Sequence, residues 1–342
     1  MAFPLAPVGP DCVGGAERIL TLLDRALVAA GHRSVVVACA GSEVEGTLLA
    51  TPLPAGPLDD PAAREQAHAA TRAAIADALS RFRVDVLHFH GIDFDSYLPP
   101  AGPPALVTLH LPPSWYSAAA LHVGRPRTFL HCVSAVQRRS CPPGLPLLGD
   151  VPNGVDLEVF RPCRAGGKRD FALALGRICP EKGLHLAFDA AARAGFPLLL
   201  GGQVFPYPDH QRYFEEEIAP RLVPPSRLLG PLPLARKRRL LAAARCLLVP
   251  SLAPETSSLV AMEALASGTP VIAFPAGALP EIVEPGRTGF LVADVEAMAA
   301  AIGEVDRIDP GECRRAAEER FSASRMIGGY FDLYLRLSPS CR

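Results

Sequence analysis

The sequence predicts two consecutive doubly wound α/β domains, each built on a parallel, Rossmann-like sheet. Its 342 residues suit two domains, since a domain commonly takes roughly 100–200 residues. Short apolar runs alternate with helical patterns along most of the chain, which is typical of parallel sheets covered by helices on both faces. The polar stretch FRPCRAGGKR at 160–169 interrupts this pattern and predicts a linker.

The elements follow in order along each half. The first half predicts helices over 16–30 and 62–80 and strands over 34–38, 85–88 and 106–109. The second half predicts strands over 171–175, 197–200, 246–249 and 271–274, and helices over 182–194, 209–219, 235–244 and 257–266. We therefore place domains at 1–160 and 170–320, and a last helix over 321–337. A ligand cleft is expected between the two domains, at the carboxyl ends of the strands.

Composition excludes several classes of protein. The formal net charge of −1 gives no basic field for nucleic acid. No uninterrupted apolar run reaches the ~18 residues of a spanning helix, and the N-terminus lacks the basic region of a signal peptide, so we expect a cytoplasmic protein. The nine cysteines are scattered without a C-x-x-C pair, which favours reduced thiols.

Two glycine-containing turns are candidates for phosphate binding. Gly14 and Gly15 precede the first helix, following a short candidate strand, and allow close approach of a phosphate or sugar. A tight turn without a ligand explains this pair equally well. The turn GRICPEKG at 176–183 carries two cations, of which Arg177 grips phosphate as a fork and Lys182 as a point charge. A solvated turn with surface ion pairs is the alternative.

Two glutamates, Glu255 and Glu263, bracket the predicted start of a helix near Ser257, where Thr and Ser are candidate caps. The free N–H groups of such a helix start favour a phosphate. Glu263 is then near enough to reach a ribose diol, and Glu255 can accept hydrogen bonds from sugar hydroxyls. In the alternative, Glu255 caps the helix and Glu263 is exposed.

Histidines and a basic run need separate interpretation. His88 and His90 form an H-x-H pair without further ligands nearby in sequence, so a structural role is favoured and no metal site is predicted. His110 ends a strand and is predicted to face the cleft. The run RKRR at 236–239 is interpreted as a solvated helix face, with weak contact to a membrane surface or lipid acceptor as the alternative.

Residues 254–291 resemble the donor-site signature of family 4 glycosyltransferases, a retaining family with the GT-B fold. Further matching pieces occur in the expected order: VGGAE at 13–17, DVLHFHG at 85–91, TLH at 108–110, PNGVD at 152–156 and GRICPEKG at 176–183. The chain departs from the common pattern at Thr256-Ser257-Ser258, where many relatives have Pro-Phe-Gly. The resemblance implies two domains facing across a cleft, with the C-terminal helix crossing back to the first.

The resemblance also implies roles for individual residues. The reacting groups would be contacted by His110, Arg177, Lys182 and Glu255. The nucleotide donor would be bound by Gly14, Gly15, Gly176, Arg177, Lys182, Ser258, Leu259, Val260 and Glu263. Arg177 and Lys182 would neutralise the diphosphate, so that neither a metal nor another cofactor is expected.

The implied reaction transfers a hexosyl group, with retention, from a nucleotide diphosphate sugar to a hydroxyl of a sugar, lipid-linked or small-molecule acceptor. A cytoplasmic protein, or one at the inner membrane face, would fit this chemistry. The alternatives are a nucleotide-sugar epimerase or phosphorylase on the same fold, and an inactive sugar-nucleotide-binding protein. A dehydrogenase is disfavoured, because the turn at 176–183 lacks three spaced glycines.

Overall fold

The computed structural model describes residues 1–53, 60–163 and 167–338. The chain divides into two units, of which the first comprises Met1–Asn153 together with the segment from Ser324 onward, and the second comprises Gly154–Ala323. The second unit begins before the predicted linker, because Val155 and Phe160 already pack in its hydrophobic core. The last helix groups with the first unit, as the predicted fold class requires.

Both units are built from parallel strands and helices in alternation. The strands are β1 Val35–Cys39, β2 Thr47–Thr51, β3 Leu87–Phe89, β4 Ala105–Leu109, β5 Thr128–Cys132, β6 Leu147–Asp150, β7 Ala172–Leu175, β8 Leu198–Gly201, β9 Arg227–Gly230, β10 Cys246–Val249, β11 Val271–Ala273 and β12 Gly289–Leu291. The α-helices are α1 Gly15–Ala29, α2 Pro61–Arg81, α3 Ala118–Leu121, α4 Ala135–Ser140, α5 Leu184–Arg193, α6 Pro208–Tyr213, α7 Leu234–Ala243, α8 Leu259–Ala266, α9 Leu279–Ile282, α10 Val295–Glu304, α11 Pro310–Arg320 and α12 Ala323–Leu337. No helix among the described residues is long and apolar enough to cross a membrane.

The sheet of the second unit has the strand order β12-β11-β10-β7-β8-β9, and all its strands are parallel. Leu173 and Leu247 face one hydrophobic core, whereas Ala172 and Leu248 face another on the opposite side. Burial on both faces is what makes these strands continuous apolar runs in the sequence.

The strand order of this sheet reverses between β7 and β10. From β7 the chain adds β8 and β9 on one side, and then crosses to place β10 on the other side of β7. Helices that connect strands on opposite sides diverge at such a point, so a crevice opens at the carboxyl ends of the two strands. A ligand-binding site is therefore expected in the loops that follow β7 and β10.

The first unit has a four-stranded sheet, β3-β4-β5-β6, and a two-stranded sheet, β1-β2. Met1 and Ala2 lie between them: the amino group of Met1 donates to His88 O at 2.6 Å, and Ala2 N donates to Val37 O at 3.0 Å. None of residues 1–14 forms a regular strand. The candidate strand before Gly14 is therefore corrected to a segment that only bridges the edges of β1 and β3.

A chain of buried polar side chains ties α12 to the sheet of the first unit. Thr108 Oγ1 lies 2.7 Å from both His131 Nε2 and His88 Nε2, and His88 Nδ1 lies 2.8 Å from the hydroxyl of Tyr334 in α12. Burial lowers the pKa of His131 to about 4 and the pKa of His88 well below its ordinary value. Both rings are therefore neutral at pH 7.

Because the two rings are neutral, the direction of each hydrogen bond that links His131, Thr108, His88 and Tyr334 can be assigned. His131 Nδ1 donates to Cys132 O at 2.9 Å, so Nε2 of His131 must accept from the hydroxyl of Thr108. Thr108 then accepts from His88 Nε2, and His88 Nδ1 accepts from Tyr334. The structural role favoured for His88 from the sequence fits this arrangement.

We predict that Thr108→Val destabilises the first unit by about 2–4 kcal/mol, because it leaves two buried imidazole nitrogens without a partner. Urea unfolding followed by the fluorescence of Trp115, the only tryptophan, reports on this unit. Thr47→Val on exposed β2 is the matched control and should change the free energy of unfolding by less than about 0.5 kcal/mol. Equal effects of the two substitutions would contradict the prediction.

Candidate functional site

The turn that follows β7 packs directly against the segment that follows β10. Gly183 has the left-handed φ of 58° that ends the short 3₁₀ turn Pro180–Lys182. A Cβ atom at this glycine would lie 2.3 Å from Pro250 O, so both the conformation and the contact require glycine. Helix α5 consequently begins at Leu184, two residues after its predicted start at 182.

Backbone hydrogen bonds fix this turn against its neighbours. Glu181 O accepts from Leu252 N at 2.8 Å, which joins the turn to the segment after β10. On its other side, Gly176 O lies against Gly202, where a Cβ atom would approach within 2.0 Å. The loops after β7, β8 and β10 therefore meet at the point where the strand order reverses.

Glu255 lies at this meeting point and is bound by Lys182. Lys182 Nζ donates to Glu255 Oε1 at 2.6 Å, and the hydroxyl of Ser251 donates to the same oxygen at 2.5 Å. The side chain of Glu255 is 10% exposed and that of Lys182 is 28% exposed. The structure thus brings together two predicted site residues that are 73 positions apart in the sequence.

Glu255 is also held through its backbone. Its carbonyl oxygen accepts from Ala278 N at 2.7 Å. A Cβ atom at Gly277, which has a φ of 60°, would lie 2.2 Å from the same oxygen. The loop after β11 therefore closes over the backbone of Glu255, and only a glycine permits that approach. Arg177, on the turn after β7, is exposed.

Helix α8 presents free N–H groups, as predicted, but starts later and without a side-chain cap. It begins at Leu259, with Ser258 as its N-cap residue and no cap hydrogen bond from that side chain, which is buried. Met262 N donates to Ser258 O at 3.1 Å, so the N–H groups of Leu259 and Val260 precede the first bond of the helix. The predicted Ser/Thr capping is therefore wrong, whereas the predicted donors are present.

Glu263 lies inside the protein and not on an exposed helix face. Its side chain is 0% exposed, and its Oε1 accepts from Lys237 Nζ at 2.8 Å. Lys237 also lies 5.4 Å from the ring centroid of Phe160, in the arrangement of a cation–π contact. The alternative in which Glu263 is an exposed helix residue is therefore wrong.

Lys237 is the site residue that the sequence analysis missed. It belongs to the basic run on α7, which was interpreted as a solvated face, and Arg236, Arg238 and Arg239 are indeed exposed. Lys237 shares a helix face with buried Leu241, four residues later. This periodicity was the available signal that one of the four cations points inward.

His110 follows β4 in the first unit, where it was predicted to end a strand. Its Nε2 lies 2.9 Å from His90 Nδ1, and its backbone N–H donates to the hydroxyl of Tyr116 at 3.0 Å. Burial lowers the pKa of His110 to about 3. The ring is therefore neutral at pH 7, and it can exchange hydrogen bonds with a ligand but supplies no positive charge.

Gly14 and Gly15 lie at the start of α1, and the first turn of this helix also contains the carboxylate of Glu17. The buried side chain of Glu17 folds back, so that a Cβ atom at Gly14 would lie 1.7 Å from Glu17 Oε2. A side chain at position 14 would therefore have to displace the Glu17 carboxylate. This contact gives Gly14 a structural explanation beside the predicted ligand contact.

Comparison with known proteins places this geometry in a family. The model of Glycosyltransferase Family 4 matches residues 13–159, and that of Glycosyl transferases group 1 matches residues 169–305. The two matches together cover most of the chain. The chain belongs to the family 4 glycosyltransferases. Its parallel-sheet units have the GT-B fold that the sequence predicted.

The individual relatives described next share 20–37% of their aligned residues with this chain. This chain is 37% identical over 183 residues to the MMP alpha-(1->4)-mannosyltransferase of Mycolicibacterium hassiacum. The aligned segment covers 49% of this chain and 43% of the relative. The chain spans less than half the length of the curated relatives it matches. The crystal structure of AviGT4, a glycosyltransferase involved in avilamycin A biosynthesis, is 25% identical with a TM-score of 0.71, over 97% of this chain and 92% of that one. Anabaena HepE in complex with UDP and glucose is 20% identical with a TM-score of 0.74, over 94% and 95%.

The buried Lys237–Glu263 pair leads to a stability prediction. Lys237→Met should lower the free energy of unfolding by about 3 kcal/mol, because it leaves the Glu263 carboxylate buried without its cation. Urea unfolding followed by far-UV circular dichroism measures the change.

Arg236→Met, on the exposed face of the same helix, is the matched control for Lys237→Met. It should stay within about 0.5 kcal/mol of the unsubstituted protein. The double variant Lys237→Met/Glu263→Gln should recover most of the loss, since no buried charge remains. A single variant that is as stable as the control would show that the pair is not a buried ion pair in solution.

Proposed function

We propose that this protein transfers a hexosyl group from a nucleotide diphosphate sugar to an acceptor hydroxyl, with retention. One observation carries the proposal: the Lys182–Glu255 pair lies at the carboxyl ends of β7 and β10, where the strand order reverses. Cation and carboxylate there suit the two halves of such a donor, an anionic diphosphate and a sugar rich in hydroxyls.

The proposed chemistry separates charge at one bond. The bond between the anomeric carbon and the diphosphate oxygen breaks, and negative charge develops on the departing diphosphate. Arg177, Lys182 and the N–H groups at the start of α8 stabilise that charge without having to reorganise. A bond forms between the anomeric carbon and the acceptor oxygen, and the acceptor proton passes to the departing phosphate on the same face. Retention is inferred from the family.

Roles of the remaining predicted residues follow their environment. Ribose binding by Glu263 stays a proposal, and it requires the carboxylate to be shared between Lys237 and the ribose hydroxyls. Glu255 is proposed to accept hydrogen bonds from the transferred sugar while Lys182 keeps the Glu255 carboxylate in position. His110 and the glycine pair Gly14-Gly15 remain sequence predictions as ligand contacts.

Donor identity is the first question for experiment. Anabaena HepE was solved in complex with UDP-glucose, and the relative from Mycolicibacterium hassiacum is named a mannosyltransferase, so nucleotide donors of glucose and mannose are tested first. A thermal-shift screen of nucleotide sugars should give a stabilisation near 2.7 kcal/mol at about 100 times the dissociation constant. Release of nucleoside diphosphate with a glycosylated product then supports transfer. Conversion of the sugar without that release would instead indicate an epimerase.

We predict opposite kinetic signatures for Glu255→Gln and Arg177→Met. Glu255→Gln should lower turnover about 10²- to 10³-fold with little change in nucleoside diphosphate affinity, because it acts at the reacting sugar. Arg177→Met should weaken nucleoside diphosphate binding about tenfold or more, since it removes a charge-assisted hydrogen bond. Calorimetric titration and steady-state kinetics measure the two quantities.

Arg212→Met, at another exposed arginine, is the matched control for Arg177→Met and should bind nucleoside diphosphate normally. Normal kinetics in both Glu255→Gln and Arg177→Met would remove the proposed donor site.

We further predict that neither Mg²⁺ nor Mn²⁺ is needed at the diphosphate, because Arg177, Lys182 and the start of α8 supply the positive charge. Enzyme treated with a chelator should release nucleoside diphosphate at a rate that neither ion raises by more than about twofold, a range too small to reflect the loss of an essential metal. Activity that disappears with the chelator and returns with either ion would contradict the prediction.

A further inference from the structure

A cluster of three metal-ligand side chains lies on and beside the turn that carries Arg177 and Lys182. One ligand atom from each of Cys179, Glu181 and His210 lies within 4.8 Å of the others. Cys179 and Glu181 belong to the turn after β7, and His210 belongs to α6. No metal site was predicted from the sequence, in which Glu181 and His210 are 29 positions apart.

Two polar atoms in this cluster are buried without satisfying their hydrogen-bonding capacity. Among the described residues, Glu181 Oε2 and His210 Nδ1 have no hydrogen-bond partner. His210 is 9% exposed and Cys179 is 0% exposed. Leaving such atoms unsatisfied is unfavourable, and a bound cation would satisfy them.

The surrounding structure holds the three side chains in place. The hydroxyl of Tyr213, one turn after His210, accepts from His185 N at 3.1 Å, which fixes α6 to the start of α5. The ring of Tyr207 packs against His210 with ring centroids 5.1 Å apart. The helix continues beyond Tyr213 as a π-helix over Phe214–Ile218, an irregularity that is frequent at functional sites.

We propose that Cys179, Glu181 and His210 bind one Zn²⁺ ion, with the fourth position open to water. A thiolate, an imidazole and a carboxylate are ligands that zinc accepts together, and the thiolate disfavours Mg²⁺ and Ca²⁺. With zinc–ligand distances of about 2.0–2.3 Å, ligand atoms in a tetrahedral site are roughly 3.3–3.8 Å apart. The observed limit of 4.8 Å exceeds this range by about 1 Å, so small changes in side-chain torsion would bring the three ligand atoms to zinc-binding distances.

The ion would reinforce the turn from the side of α6. Glu181 supplies a carboxylate to the metal, while its carbonyl oxygen accepts from Leu252 N and Ala253 N of the segment before Glu255. Zinc would therefore link α6, the turn and that segment into one rigid group. The zinc site does not depend on the proposed glycosyl transfer, because its test uses neither donor nor acceptor.

The proposal is tested by measuring metal binding to the full chain after a chelator has removed any metal. Titration with Zn²⁺ against a competing chelator dye should show that each protein chain binds one Zn²⁺ ion tightly. Cys179→Ser, Glu181→Gln and His210→Asn should each weaken it by about 10- to 100-fold or more, since even outer partners of a metal ligand have effects of that size. Cys12→Ser and His122→Asn, at residues outside the cluster, are matched controls and should bind as the unsubstituted protein does.

Cobalt provides a readout that is specific for the ligand atoms. One equivalent of Co²⁺ should give a thiolate-to-cobalt absorption band in the near ultraviolet, which Cys179→Ser abolishes and Cys12→Ser retains. Circular dichroism and thermal melts in the presence of chelator establish that each variant is folded. If Cys179→Ser is unstable, the loss of Zn²⁺ affinity in Glu181→Gln and His210→Asn still tests the proposal. The proposal would be overturned if the protein bound no Zn²⁺ tightly, or if all three variants still bound one Zn²⁺ ion as tightly as the unsubstituted protein.

Discussion

The close backbone contact between the turn after β7 and the segment after β10 is the constraint on which the candidate site depends. Gly183 has no Cβ, and Pro250 O occupies the space where one would be. The same contact lets Glu181 O accept from the segment that leads to Glu255, and it places Lys182 against that carboxylate. A side chain at position 183 would separate the two loops, and with them the cation and the carboxylate of the site.

The two lysine–glutamate pairs of the second unit differ in what surrounds them. Lys182 is 28% exposed, so water or a ligand can take over part of its interaction with Glu255 at modest cost. Glu263 is 0% exposed, and separating it from Lys237 would leave a buried charge. The first pair is therefore suited to exchanging partners when a donor binds. The second is suited to fixing α8, whose first turn supplies the N–H groups.

Local sequence patterns predicted the parts of this fold that have local causes. Strands buried on both faces, such as β7 and β10, appear as apolar runs, and α1 has clear helical periodicity that ends at Gly31. The short strands β2, β6, β9 and β12 were missed, because they lie at sheet edges and are only partly buried, so they do not form continuous apolar runs. Strand β5 was also missed, since buried His131 interrupts its apolar run. The sequence located Glu255 and Lys182 but not their pairing, and it left Lys237 among the surface cations. Such contacts depend on tertiary packing, which a single sequence does not display.

The charges in the loops after β7 and β10 suggest different roles for the two cations, Arg177 and Lys182. A free Glu255 carboxylate would repel a diphosphate, so its pairing with Lys182 is what makes an acidic residue tolerable beside an anionic donor. That pair is neutral as a whole before a donor binds, so the initial attraction for the diphosphate is proposed to come from exposed Arg177 and the positive end of α8. Lys182 would add its charge once donor binding loosens the pair. Lys182 contributes through position, since it is already held within reach of the carboxylate that is proposed to contact the sugar. We therefore propose that Arg177 captures the donor, and that the Lys182–Glu255 pair orients the captured sugar for transfer.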